Sequence, residues 1–217
     1  MALLDAAMMH IHLNEVCSSD NLKCFSLDIE INGCTVIYDP GEHISASILA
    51  TLVGVDDIDA GDVLIDGISF DDYFLQHRLI STFAHVFDEG IMLSNLTIRE
   101  NLLLPWKIRF PNEDITTFNG ELNAWMKSLE LNSDINLRPA FVSPAHKKFF
   151  GFIRGVMLKP RLLLIDDPYY LFNKTERNLI FRFLYSLKGA QEMLIASADD
   201  DFLGDIATDV IDLSTIN

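Results

Sequence analysis

Residues 161–173, RLLLIDDPYYLFN, decide how the rest of the chain is read. Four apolar residues, Leu162 to Ile165, run directly into Asp166, Asp167 and Pro168. A run so short, stopped by a proline, predicts a strand buried on both faces in a parallel sheet. Such sheets gather their functional groups at the carboxyl ends of the strands, beside the ligand crevice. Two carboxylates at that place suit a metal–nucleotide site, where one holds the ion and the next polarises a water. They suit a solvated acidic turn equally well.

The preceding residues narrow the choice. Residues 142–160, VSPAHKKFFGFIRGVMLKP, have the length of one helix closed by a proline. Ser143 is a good N-cap and Pro144 a good first helical residue. Without a gap, the segment resembles the signature helix of ABC-transporter ATPases, in which LSGGQ opens a helix that ends just before the Walker B strand. Residues 162–168 then resemble Walker B (LLLLDEP), and residues 169–173 fall on the D-loop.

Composition bounds the alternatives. The chain has 217 residues, 49% hydrophobic and 22% charged, enough for one domain with a sizeable core. A formal net charge of −16 disfavours nucleic acid and anionic lipid as partners, since both need clustered Lys and Arg. No run of about 18 apolar residues is present, so no membrane insertion is expected. The first residues lack a basic segment and carry Asp5, unlike a signal peptide. Cys17, Cys24 and Cys34 are odd in number and lack CxxC spacing, so reduced thiols of a cytoplasmic protein are expected. A zinc site is not expected, although His10 and His12 share one face of a strand.

Taken in order, residues 6–13 and 22–31 read as strands; in the second, Leu27, Ile29 and Ile31 alternate with Asp28 and Glu30. Asn32-Gly33 is a hairpin-type turn, and residues 35–38 form a short buried strand. Residues 39–54, DPGEHISASILATLVG, then stand where the family has its Walker A loop, GxxGxGKST, and the helix after it. That loop works through glycines that let backbone N–H groups wrap phosphates, a Lys for the β/γ-phosphates, and a hydroxyl for Mg²⁺. The helix is kept as residues 48–54. Aligned on it, Ser45 takes the Lys position and Ala46 that of the hydroxyl, while Asp39, Glu42 and Ile44 stand at glycine positions. A shifted frame offers Ser47 as the hydroxyl. No frame supplies a Lys, because none occurs between Lys23 and Lys107. A carboxylate about 4 Å from a phosphate charge costs about 1 kcal/mol in water and about 4 at a surface-like dielectric, so triphosphate binding is expected to be weakened.

Residues 62–67, DVLIDG, match the strand and turn after the Walker A helix, and serve equally as a plain β-turn. Residues 81–87 read as a strand. Residues 84–105, AHVFDEGIMLSNLTIRENLLLP, resemble the Q-loop region, with Thr97, Glu100, Asn101 and Pro105 fitting its LTVxENxxxP pattern. Asp88 stands in place of the Gln, which in the family helps ligate Mg²⁺ and senses the γ-phosphate. Residues 113–131 read as an amphipathic helix with Leu122, Trp125, Met126 and Leu129 inward. Trp106, Phe110 and Phe118 read first as packing. In VSPAH only Ser143 matches LSGGQ. Residues 174–188 are a helix and 192–197 a strand, after which Ala198 replaces the family's switch His. Residues 206–213, IATDVIDL, resemble its last strand, ADRVIxL.

The resemblance covers residues 22–213 and implies an α/β fold: an ABC-type ATPase core, a P-loop-like sheet with flanking helices, plus an antiparallel β subdomain and a helical subdomain. One domain, 1–217, is expected, with 1–38 and 55–70 in the β subdomain and 89–150 in the helical one. The altered motifs imply a pseudo-ATPase with a structural or regulatory role in a membrane transporter, peripheral on the cytoplasmic face. The alternatives are a divergent metal-dependent ATPase and a free-standing scaffold. No catalytic residue is expected, unless Asp166 and Asp167 keep residual activity. Ser45, Ala46, Ser47, Asp88, Ser143 and Ala198 mark the altered nucleotide site; Asp166 and Asp88 would hold Mg²⁺ if it binds. No cofactor is expected, or at most weak MgATP binding. The implied partners are a permease, an intact ABC ATPase or a second copy. Because both Walker A and signature are altered, pairing with an intact subunit would complete neither composite site. Within the family, LRPAFVSPA (residues 137–145) resembles the lead-in to the signature of lipid-trafficking, Mce-type ATPases.

Overall fold

The computed structural model describes residues 8–18, 24–41, 44–200 and 202–215. The first half runs β1 (Met9–Ser18), β2 (Phe25–Ile31), β3 (Cys34–Tyr38), α1 (Ile44–Leu52), β4 (Ile58–Ile65), β5 (Ile68–Ser69), α2 (Phe70–Gln76), α3 (Leu79–Thr82) and β6 (Phe83–Val86). The second runs α4 (Ile98–Arg109), α5 (Ile115–Ser128), a 3₁₀ turn (Pro139–Phe141), α6 (Pro144–Met157), β7 (Leu162–Asp166), α7 (Lys174–Leu187), β8 (Glu192–Ser197), α8 (Phe202–Asp205) and β9 (Asp209–Asp212).

Two sheets result. β2-β1-β4-β5 is antiparallel, and β6-β7-β8-β3-β9 is parallel in all its pairings. In β7 and β8 successive residues serve opposite layers. Leu162, Leu164, Leu194 and Ala196 pack with α1 and the antiparallel sheet, while Leu163, Ile165, Met193 and Ile195 join the larger core built on α4 to α7. Both faces are covered, so the strand shows no polar alternation.

Three expectations change. β1 continues to Ser18, past the expected end at residue 13, because a register shift between Leu13 and Val16 restarts the pattern. Glu15 there has φ 45°, and its carbonyl lies so close to Gly61 (φ 90°) that any side chain on Gly61 would strike it. β3, placed with the β subdomain by the 1–38 boundary, is instead an inner strand of the parallel sheet, between β8 and β9. Cys17 and Cys24, expected as free thiols, form a disulfide. The pairing of Val16 with Phe25 sets them opposite each other at the next step of the ladder. Cys34 is free and buried, and burial pushes its thiol pKa up to about 12. Residues 6, 7, 22, 23 and 42 lie outside the described residues.

The helical region packs as its apolar spacing predicts. Trp106, Phe118, Leu122 and Leu129 are buried, and Trp106 meets Phe118 edge-on at 5.4 Å. The residues that fit the LTVxENxxxP pattern hold architecture. Thr97 and Glu100 form a capping box on α4. Asn101, buried, accepts from Leu93 N at 2.7 Å and donates to the carbonyls of Leu93, Leu96 and Thr97.

Candidate functional site

The carboxyl ends of β3, β7 and β8 define the site. β3 extends one residue beyond its end, Asp39 N donating to Ser197 O at 3.0 Å. The chain then turns into α1. A helix begins with unbonded N–H groups and the positive end of its dipole, which together attract an anion. Here the anion is internal: Ser45 N donates to Asp39 Oδ2 at 3.0 Å, and both residues are buried. Ala46 beside it offers only a methyl. Ser47, the hydroxyl of the shifted frame, donates to Asp56 Oδ2 at 2.9 Å.

Asp166 closes β7 in register with Ala196 of β8. Asp167 takes the rare φ of 31° and donates its N–H to Ala196 O at 3.0 Å, starting the turn through Tyr170. Asp88 lies in the loop after β6. That loop is pressed onto α6 at Gly90, where a Cβ would stand 2.5 Å from Lys148 N. Ser143 caps α6, accepting from His146 N at 3.2 Å, with Pro144 at the first helical position. The N-terminal turn of α6 is therefore closed by its own cap. Ala198 follows the end of β8 and is exposed; its neighbour Asp199 pairs with Arg177 at 3.2 Å.

The structure thus sets Asp166 and Asp167 at the end of β7 and Asp88 in the loop that packs on α6 through Gly90, while Asp39 precedes α1 and Ser45 and Ser47 lie in it. Among the described residues no three His, Cys, Asp or Glu side chains converge as a metal site.

Sequence reasoning missed Lys148. It is fully buried, and its Nζ donates to Asp167 O at 2.5 Å and Tyr170 O at 3.0 Å. Burial drives its pKa down to about 8, opposed by the charges of Asp167, Asp88 and Asp166. The signal was its position: Lys148 precedes Phe152 by four residues, on the inward face of α6. His85 on β6 was missed as well. Both its ring nitrogens are buried without a partner among the described residues, and its ring lies 4.0 Å from that of Phe87. Burial, and then the charge of Arg154, lower its pKa to about 4, so it is neutral.

Comparison with known proteins agrees with this architecture. No family model matches the chain. It is 30% identical over 156 residues to the ABC transporter ATP-binding protein YxdL of Bacillus subtilis, covering 68% of this chain and 58% of that protein. It is 26% identical over 147 residues to the spermidine/putrescine import ATP-binding protein PotA of Thermotoga maritima, covering 68% of this chain and 39% of that one. The chain therefore spans between about two fifths and three fifths of these relatives. Among solved structures, the dimeric bacterial ABC transporter cassette MJ0796 superposes with a TM-score of 0.76 at 19% identity, over 88% of this chain and 89% of that one. An ATP-binding subunit of an ABC transporter gives 0.77 at 13% identity, over 94% and 85%. In sequence the chain is similar to ATP-binding subunits of ABC transporters, and it shares the fold of their solved cassettes.

Proposed function

We propose that the chain is a non-hydrolysing ABC-type subunit with a structural or regulatory role in a transporter complex, held on the cytoplasmic side of a membrane by a permease. One observation carries this reading: the Asp39 carboxylate occupies the N–H of Ser45 at the start of α1, where the family's loop would offer that group to a phosphate. A magnesium nucleotide fits the surrounding residues poorly. No Lys stands near the loop in sequence, the Ser47 hydroxyl is engaged by Asp56, and Pro144 removes a backbone donor from the start of α6. Asp39 also adds like charge wherever a phosphate approaches.

Docking is supported by exposed apolar residues of the helical region. Ile91 and Leu93 in the loop after β6, and Leu104 and Ile108 on α4, all stand largely in solvent. None of the described helices is long and apolar enough to cross a membrane, so attachment would run through a partner. The two named relatives do not share one stated cargo, and this chain's cargo is left open. The Mce-type resemblance rests on residues 137–145 alone, which form the 3₁₀ turn and the cap of α6.

Two measurements test the reading. Calorimetric titration of the full chain with MgATP is expected to give no saturable binding at millimolar nucleotide. Micromolar affinity, or turnover abolished by Asp166→Ala, would refute it. Gentle-detergent capture from native membranes is expected to recover a permease or an intact ABC ATPase. A bait free of membrane partners would refute the subunit role.

A further inference from the structure

A cavity of about 420 Å³ lies at the far end of α1 from Asp39, between the last turn of that helix, β4 and the start of α2. This volume suits a small molecule. Its wall includes Thr51, which is 1% exposed and whose hydroxyl has no hydrogen-bond partner among the described residues. A buried hydroxyl left unpaired costs about 1–3 kcal/mol, which a ligand in the cavity would relieve. Carboxylates share the lining: Asp56 is half-buried, and Asp57, Asp62 and Asp71 are exposed. No Lys, Arg or His lines it among the described residues, and Ile58, Val63 and Phe70 add apolar surface. Local structure sets an acid beside the hydroxyl. Gly54, with φ 69°, turns the chain back at the end of α1, its N–H donating to Thr51 O at 3.0 Å. Asp56 then reaches the helix, its Oδ2 accepting from Ser47 Oγ at 2.9 Å. Ser47 and Thr51 are four residues apart and share one face of α1, so the Asp56 carboxylate and the Thr51 hydroxyl lie along the same face. The carbonyl end of α1, negative by its dipole, adds to the attraction for a cation.

We propose that this cavity binds an organic diammonium ion. One ammonium donates to the Thr51 hydroxyl and the Asp56 carboxylate. The alkyl chain lies on Ile58, Val63 and Phe70, and the second ammonium meets the exposed carboxylates of Asp57, Asp62 and Asp71. Each part of the ligand answers a part of the wall. An ammonium only donates, and both a hydroxyl and a carboxylate accept. An aromatic ring holds a cation on its face, and apolar surface takes the stem that carries it. A metal ion is the poorer match, since it needs oxygens gathered at about 2.0–2.6 Å. Among the described residues no three acidic or His side chains converge in that way. A ligand with two separated charges suits carboxylates spread around a cavity. The proposal goes beyond the reading of the nucleotide site and does not rest on it.

The test is calorimetric titration of the full chain with cadaverine, a five-carbon chain with an amine at each end, at physiological salt and without nucleotide. The wild type is expected to bind one probe per chain saturably below millimolar concentration. Thr51→Val keeps the shape of the side chain and breaks no bond in the free protein, so it should fold as the wild type does and bind about tenfold more weakly. Asp62→Asn/Asp71→Asn, both at exposed positions, should also lose about tenfold. Glu89→Gln/Glu113→Gln removes as much charge from exposed positions outside the cavity and should stay within about twofold of the wild type. Pentylamine, with a single ammonium, should bind about tenfold more weakly than cadaverine. Absence of saturable binding at millimolar cadaverine would overturn the proposal, as would a Thr51→Val variant that binds like the wild type. Equal losses in the two acidic double variants would also overturn it, since the probe would then answer only to overall charge. Equal affinity for pentylamine would overturn the diammonium assignment.

Discussion

Replacing Asp39 by alanine removes the acceptor that holds the first turn of α1. The lost bond is buried, 3.0 Å long, and made by a carboxylate to a backbone N–H at the positive end of a helix. A hydrogen bond to a charged group contributes about 1.5–3 kcal/mol, and a charge at a helix start about 0.3–1 kcal/mol when exposed and up to about 2 when partly buried. These overlap rather than add, so Asp39→Ala should cost about 2 kcal/mol. Asp39→Asn keeps an acceptor and loses the charge, so it should cost about 1 kcal/mol. Urea unfolding with a common slope measures both. A loss under about 0.5 kcal/mol for both variants would refute the buried bond as described and place Asp39 on an ordinary surface loop. The same residue has a ligand arm. Asp39→Gly restores the glycine of the family's loop and frees the Ser45 N–H. Pyrophosphate affinity should then rise roughly tenfold to a thousandfold, from the removal of one like charge. An unchanged affinity would mean that Asp39 is not what excludes phosphate.

Gly90→Ala would place a Cβ 2.5 Å from Lys148 N in a left-handed backbone, and should destabilise by about 3 kcal/mol in urea unfolding. His85 is neutral when folded, with its pKa lowered to about 4 from an ordinary 6.5. The folded state therefore loses stability as pH falls from 6.5 towards 4, by about 2 kcal/mol at pH 5 relative to pH 7. His85→Leu should abolish that part of the loss without destabilising at pH 7, checked by urea unfolding at both values. The Cys34 thiol, buried with its pKa pushed up to about 12, should resist a thiol reagent at pH 8 in the native chain and react once urea is added. Reducing the Cys17–Cys24 bridge, which spans seven positions, should cost about 2.5 kcal/mol, seen as a lower unfolding midpoint with reductant present.

The elements were legible in the sequence where the chain's own periodicity decides them. The strand before Asp166, the helix from Pro144 and the amphipathic helix around Leu122 all appear where spacing and caps predict. Legibility failed at β1, because the bulge at Glu15 depends on Gly61, a residue from another strand. The disulfide was missed for a related reason: it follows from the ladder between β1 and β2, which cysteine spacing does not encode. At the site, the acidic character of the loop before α1 was readable, but the bond from Ser45 to Asp39 was not. Lys148 was harder still. A lysine in the phenylalanine-rich face of a helix is ordinarily expected to reach solvent. Only the turn from Asp167 to Tyr170, folded over it, shows that it is internal.

The place of β3 bears on how the chain is made. Cys34 pairs with Met193 on one side, and Thr35 with Asp209 on the other. On a ribosome, this strand therefore emerges long before either neighbour exists, with its apolar residues unpaired while the entire helical region is translated. Assembly of the sheet must wait for distant contacts, which are slow to form and leave apolar segments open to aggregation meanwhile. Residues 34–38 are therefore the part of the sheet that stays unpaired longest during synthesis, until β8 and β9 arrive.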